Sequence, residues 1–535
     1  MILLGDGHKA APGVRAVFAD ARHHWISLYD SGRGVWETVR AKDCPLYVRI
    51  IAWEHRSRTM TPKQTVVNGG AIYFHPSDER APELLDKLKL PNPDYEQALR
   101  MRNKGKRCPL PVPYVSACFN LPLSHPWADG VMAPRFAPLN GFNLDFIERR
   151  TEGRPIPAHL SDNYELRGYQ QDAVDSALRN GAGVLVAPCG AGKTSIGIGI
   201  VAAVRQRTLI LVHTKDLMQQ WQERIEEWLP QLSMGFIGGG RTYQEGGDIV
   251  IATVQTLMNM PWQELYDLGK EFGLVILDEA HHCPAASFSW VMTAMPAKLR
   301  FGLTATPTRE DGLTQFMWWT FGPKIWEISH RSLQHNGLIV VPSYHFVATG
   351  WSPADPDDEY QRVITEMTMD EERNRAIVKL VHRCAAADRK VLVLSARVGH
   401  CEQLHEALQT QGVASVLLLG KMSPKKRTEA LEGMRAGQYE VCISTTVADE
   451  GLDLPLLDTL IMCTPTKAHG KVEQRIGRLM RPYPGKEECR VYDLVDDWGP
   501  FFHSARSRRS LYRILCMPRK PFSLSTCHFT NYDRL

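Results

Sequence analysis

The hydrophobic pattern of the chain changes near residue 160. Before it, short apolar runs (Val14 to Phe18, Leu46 to Ala52, Ala71 to Phe74) are broken by Pro and Gly, the pattern of brief strands. From Tyr164 onward, continuous apolar runs take over: GVLVA, TLILVH, DIVIATV and LVILDEAHH, separated by helix-length stretches of mixed polarity. A run without polar alternation is buried on both faces, the condition of a strand inside a parallel sheet covered by helices. A second such series follows GLIVVP at Gly337 to Pro342: KVLVLSA, SVLLLG, YEVCISTT, DTLIMCT and CRVYDLV. The pattern predicts an α/β protein with two tandem parallel-sheet lobes, a cleft between them, and an N-terminal α+β accessory domain. The expected domains are residues 1–160 (accessory), 161–329 (first lobe), 330–343 (linker), 344–498 (second lobe) and 499–535 (basic tail). In the tail, HSARSRRSLYRILCMPRK predicts a final helix with a charged face. Asp94 to Arg107 predicts a helix ending in a basic cluster (Arg100, Arg102, Lys104, Lys106, Arg107), as readily a solvated helix end as a DNA contact.

Composition narrows this picture only a little. A chain of 535 residues exceeds what one core serves, and 44% apolar residues suffice to pack several. A net charge of +4 announces no polyanion ligand by itself, so any such surface must come from local clusters. Twelve cysteines without a CxxC pair form neither a zinc framework nor a secreted disulfide scaffold, and are expected to be reduced thiols of a cytoplasmic protein. The N-terminal apolar stretch is too short for a signal-peptide core, and no run approaches bilayer-spanning length.

Candidate chemistry enters with APCGAGKT, Ala187 to Thr194, between the run GVLV and an apolar segment. It fits the phosphate-loop pattern with Ala in place of the first Gly. Gly190 and Gly192 would let backbone N–H groups curl toward phosphate oxygens, Lys193 would reach the β- and γ-phosphates, and Thr194 would ligate Mg²⁺. Pro188, Cys189, Ala191 and Ser195 complete the expected nucleotide cradle. LVIL runs directly into Asp278 and Glu279, placing two carboxylates at the C-terminal end of a buried strand, where ligands of such sheets bind. Asp278 is expected to hold the Mg²⁺ water shell and Glu279 to polarise the attacking water. Adjacent acids after a strand are ordinarily a loop start; a phosphate loop upstream makes them evidence for hydrolysis of a nucleoside triphosphate.

These motifs, in this order from Glu165 to Asp497, resemble the superfamily 2 helicases with a DEAH box, and among them the branch of XPB and the phage UvsW-like helicases. The resemblance implies two RecA-like lobes that use ATP and Mg²⁺ to move along DNA, branched or forked DNA above all, in 3′ to 5′ direction, in recombination, repair or replication. It implies that Gln170 and Arg167 in LRGYQQDAV read adenine, that His281 with Thr304 and Thr306 of LTATPTR couples hydrolysis to strand binding, and that Gly451 and Asp453 of STTVADEGLDLP touch the nucleotide. Gln474, Arg478 and Arg481 of QRIGRLMRP would act on the γ-phosphoryl, where a guanidinium offers fixed donors to phosphate oxygens. Thr214, Lys215, Thr253, Gln255, Ser395, Thr445 and Thr446 would grip the backbone without reading bases. MDEERNRAI, Met369 to Ile377, resembles a segment common in UvsW-like helicases without explaining chemistry. The partner is DNA and not a membrane, and the setting the cytoplasm, a host's if the chain is phage-encoded. Alternatives left open are a duplex translocase of a remodelling or restriction system, an RNA helicase, and a nucleotide-gated DNA-binding scaffold.

Overall fold

The computed structural model describes residues 150–188, 190–240, 246–282, 286–307, 313–445, 454–466, 469–515 and 533–534, and before residue 150 mainly short strands. The expected strand Leu46 to Ala52 lies outside the described residues, as does most of Asp94 to Arg107, of which Tyr95, Ala98 and Leu99 are helical. The chain packs as two compact units, Met1–Val186 with Thr194–Glu327, and Ala187–Lys193 with Ile328–Leu535.

In the first unit seven strands form one sheet: β1 (Ala182–Val186), β2 (Thr208–Val212), β3 (Met234–Ile237), β4 (Ile249–Thr253), β5 (Leu274–Asp278), β6 (Leu299–Thr304) and β7 (Lys324–Glu327). Their order is β3-β4-β2-β5-β6-β1-β7, and every neighbouring pair is parallel. Every residue of β1, β2, β4 and β5 is buried, which is why these runs carry no polar alternation.

The second unit repeats the plan with β8 (Pro342–Ala348), β9 (Val391–Leu394), β10 (Ser415–Leu418), β11 (Val441–Ser444), β12 (Thr459–Met462), β13 (Cys489–Val495) and β14 (Asp533–Arg534). Its order is β10-β11-β9-β12-β13-β8-β14, again parallel throughout. Counted from its own first strand, each sheet has the same strand order.

Before residue 150 the described strands are short. Ile2–Leu3, Val14–Ala19, Trp25–Asp30 and Val35–Arg40 form an antiparallel sheet. A five-stranded mixed sheet contains Ala71–Phe74 and Val131–Pro134. Just after the latter, the Phe136 N–H donates to the Trp319 carbonyl at 2.7 Å, and Arg135 reaches the carbonyls of Ala297 and Lys298 at 3.4 and 3.3 Å, so this segment docks on the first sheet's own unit. Among the described residues, no helix is long and apolar enough to cross a membrane.

Candidate nucleotide and nucleic-acid site

Strand register brings the candidate residues of the first unit into one row. Val186, which leads into the phosphate loop, pairs with Thr304, and Leu303 pairs with Asp278, so the C-terminal ends of β1, β6 and β5 lie side by side. On the other flank Val212, two residues before Thr214, pairs with Thr253. Asp278 is 4% exposed; its Oδ2 accepts from the Trp221 ring N–H at 2.9 Å and its Oδ1 from the Glu279 backbone N–H at 2.9 Å. Those two donors fix the plane of the carboxylate. Glu279 takes a left-handed φ of +51°, which brings its carboxylate to 3.4 Å from His281 Nδ1. That same Nδ1 lies 3.1 Å from Thr304 Oγ1, which accepts from the Thr306 N–H at 3.2 Å. Glu279, His281, Thr304 and Thr306 thus form a continuous polar chain from the end of β5 to the turn after β6. Thr304 closes that turn and caps no helix.

The phosphate loop turns through Gly190 and Gly192, at φ +88° and +76°, conformations that glycine adopts without strain. The Ala191 N–H donates to the Pro188 carbonyl at 3.1 Å, and Lys193 opens helix Lys193–Val204, with Thr194 and Ser195 half-buried in its first turn. Cys189 lies outside the described residues. A Cβ built on Gly190 would sit 3.4 Å from the Gly477 carbonyl oxygen and 3.7 Å from Arg481 Cγ. Gly477 and Arg478 lie on helix His469–Leu479, and the Arg481 N–H donates to the Arg478 carbonyl just beyond it. Burial pushes Glu473 of that helix up to about 7, against the pull of the Lys193 charge. His330, 3.8 Å from Glu473, is pushed down to about 4 by burial and by Lys193. The side chain of Gln474 lies outside the described residues, as do Thr446, Gly451 and Asp453.

Residues 163–309 match the family described as the res subunit of type III restriction enzymes, and residues 372–483 match the helicase conserved C-terminal domain. The chain is 27% identical over 409 residues to the DNA 3′-5′ translocase XPB2 of Sulfurisphaera tokodaii, an alignment spanning 68% of this chain and 89% of that protein. It is 30% identical over 353 residues to the DNA 3′-5′ helicase XPB of Kineococcus radiotolerans, spanning 62% and 60%. It is 26% identical over 401 residues to the probable helicase D10 of Escherichia phage T5, spanning 73% and 85%.

The chain carries the paired motor domains of a superfamily 2 helicase, and its relatives include XPB-like and phage helicases.

The two parallel-sheet lobes are accordingly the RecA-like motor fold, and this helicase is an ATP-using enzyme. At the motif expected to read adenine, Gln170 is buried; its Oε1 accepts from the Arg167 backbone N–H at 3.0 Å and its own N–H donates to the Arg167 carbonyl at 2.8 Å, at the start of helix Gly168–Asn180. Thr214 caps helix Lys215–Trp228 by accepting from the Leu217 N–H at 3.2 Å, while Lys215 and Gln255 are exposed. Thr253 is buried with its hydroxyl 2.8 Å from that of Thr256. Against this pair lies a turn that sequence reasoning missed, Gly238 to Gly240, with all three glycines at positive φ. A Cβ at Gly238 would stand 2.3 Å from both threonine hydroxyls, and one at Gly240 would stand 3.6 Å from Lys215 Nζ. The run GFIGGG straight after an apolar strand was the signal available for it.

In the helicase's second lobe, Ser395 follows β9 and is only 3% exposed; Thr445 follows β11 and is also buried. The Ser395 hydroxyl accepts from the Arg397 N–H at 3.2 Å and lies 2.8 Å from His400 Nδ1, whose Nε2 lies 2.8 Å from Asn374 Oδ1. Asn374 belongs to MDEERNRAI, so that segment holds the turn carrying Ser395. Burial, aided by the Arg373 charge, pushes His400 down to about 3 from an ordinary 6.5. Between those values the unfolded chain binds a proton that the folded lobe does not, so this contribution is complete above the unfolded value and is lost as pH falls. The expected loss is about 2 kcal/mol by about pH 5. Unfolding free energies from urea titrations at about pH 7.5 and about pH 5 should differ by that much less in His400→Gln. An unchanged gap would remove His400 from the account.

Proposed function

We propose that this helicase hydrolyses Mg-ATP to move 3′ to 5′ along DNA, with branched or forked DNA as its substrate. The supporting observation is the polar chain from Glu279 through His281 to Thr304 and Thr306, which joins the carboxylate next to Asp278 to the strand end beside the phosphate loop. A buried carboxylate and a helix-opening hydroxyl, Asp278 and Thr194, are donors that suit a hard cation held largely through water. Mg²⁺ bound there supplies neutralisation of phosphate charge. In this reading Glu279 accepts the proton of the attacking water, Lys193 holds the β- and γ-phosphates, Gln170 and Arg167 hold the base, and Arg478 and Arg481 stabilise the transferred phosphoryl. Gln474, Gly451 and Asp453 are assigned to the nucleotide on their motifs alone. Thr214, Lys215, Thr253 and Gln255, with the Gly238 turn, form the backbone track of the first lobe. Thr445 and Thr446 continue it in the second. Direction requires that affinity for the strand differ between nucleotide states, since equal grip in both yields no work.

The relatives named as DNA helicases and translocases favour DNA over RNA. Residues 1–160 are the candidate substrate-choosing domain. The described cysteines are buried free thiols, which suits the cytoplasm. The deciding experiment is ATP turnover with single-stranded, forked and junction DNA and with RNA. Strongest stimulation by branched DNA is the expected result. Turnover indifferent to every nucleic acid would replace the motor reading with that of a nucleotide-gated scaffold.

A further inference from the structure

Two buried arginine–aspartate pairs of the second lobe lie outside the phosphate chemistry, yet both end on one short loop. After β12, Cys463 to Thr466 carries the chain toward helix His469–Leu479, which holds Arg475 and Arg478. Arg373, 2% exposed, donates from Nε to Asp496 Oδ1 at 2.6 Å, and its Nη2 donates both to Asp496 Oδ2 at 3.1 Å and to the Cys463 carbonyl at 2.6 Å. Arg508, on helix Gly499–Leu515 and also 2% exposed, makes a two-pronged pair with Asp493 at 2.7 Å on each prong, and its Nη1 donates to the Thr466 carbonyl at 3.2 Å. The Ser504 hydroxyl donates to that same carbonyl at 3.1 Å. The Thr464 hydroxyl accepts from the Ala396 N–H at 3.0 Å, and the Thr466 hydroxyl accepts from Arg475 at 2.9 Å. Apart from Pro465, every residue of the loop is therefore held by a group from another element.

Stability alone does not account for this arrangement. A buried ion pair is roughly neutral against well-packed apolar residues, because desolvation offsets the attraction. What the guanidinium fork adds is geometry, with two N–H groups set on the acid and a further N–H on a loop carbonyl. We infer that Arg373 and Arg508 are positioning residues for ATP turnover, setting through the Cys463–Thr466 loop where Arg478 and Arg481 stand. This rests on the role proposed above for those two arginines. It gives MDEERNRAI, which contains Arg373, and the C-terminal helix, which contains Arg508, one shared purpose.

The test is steady-state ATP turnover of the full chain with saturating DNA, for the apolar exchange Arg373→Met with Asp496→Leu and for Arg508→Lys, which keeps the charge and loses the fork. Arg481→Ala serves as control. The expected result is kcat lowered roughly 10- to 100-fold, with ATP KM and DNA affinity within about threefold and melting well above the assay temperature. Should the apolar exchange fail to fold, Arg508→Lys carries the test alone. Unchanged kcat in variants whose control is inactive overturns the positioning role and leaves the motor reading standing. A parallel loss of kcat, ATP affinity and DNA affinity also overturns it, since that marks general loosening. Normal turnover by Arg481→Ala brings down the proposed arginine role, and this inference with it.

Discussion

Glu279→Gln is expected to bind ATP and DNA normally and to turn ATP over on the order of 10³-fold more slowly, the scale of losing a positioned general base. The substitution conserves size and changes only whether the group accepts a proton. The geometry makes the expectation specific. Glu279 holds a non-glycine residue at φ +51°, a conformation that costs on the order of 1 kcal/mol or more and persists only where its surroundings over-determine it. Here the next residue back, Asp278, is fixed by Trp221 and by the Glu279 N–H, and the next contact forward is His281 at 3.4 Å. The strain therefore aims the carboxylate. Equilibrium binding of ATP with single-turnover hydrolysis separates the outcomes. Weakened ATP binding with normal chemistry would assign Glu279 to the cradle, and a loss under about threefold would remove it as the base.

The two sheets were legible because their strands are buried on both faces, which leaves unbroken runs such as TLILV and LVILD in the sequence. Their strand order was not, since pairing partners lie dozens of residues apart and nothing in a strand names its neighbour. The short strands near the N-terminus were read at Val14 and Ala71, and the structure extends the first by one residue to Ala19. The C-terminal helix was read by its charge. Its buried stripe in fact runs Phe501, Ser504, Ala505, Arg508, Leu511, Tyr512 and Leu515, with Arg508 at a core position of a helical repeat. That misplaced arginine was visible; its partner Asp493 was not.

Within the candidate site, Lys193, Asp278 and Glu279 could be singled out because each follows a recognisable strand at fixed spacing. Trp221 could not. In the amphipathic segment KDLMQQWQERIEEW it reads as an ordinary core residue, and only the tertiary fold brings its ring N–H to Asp278. Ser395 shows the converse. The resemblance implies a backbone contact for it, and in the structure its hydroxyl is buried and engaged by Arg397 and His400. Residue type announces capacity for a hydrogen bond, while burial decides which bond is made.

Arg481→Ala is expected to lower kcat on the order of 10³-fold, with little change in ATP affinity, the scale for removing a guanidinium that stabilises a transferring phosphoryl. Arg481 lies one residue past Met480, whose carbonyl accepts from the Val340 N–H at 2.8 Å, so the backbone that carries it is fastened to the chain leading into β8. Its own N–H is tied to the Arg478 carbonyl at 3.3 Å, and its Cγ lies against the phosphate loop at Gly190. A flexible side chain on a fixed base can follow a phosphate whose charge changes during reaction without moving the lobe. Lysine keeps the charge and loses the planar fork, so Arg481→Lys should recover less than about tenfold of the loss. Full recovery by lysine would mean that a point charge suffices and the fork is idle. Equal losses in kcat and ATP affinity would mean that Arg481 binds the ground state, and the burden of charge stabilisation would pass to Arg478.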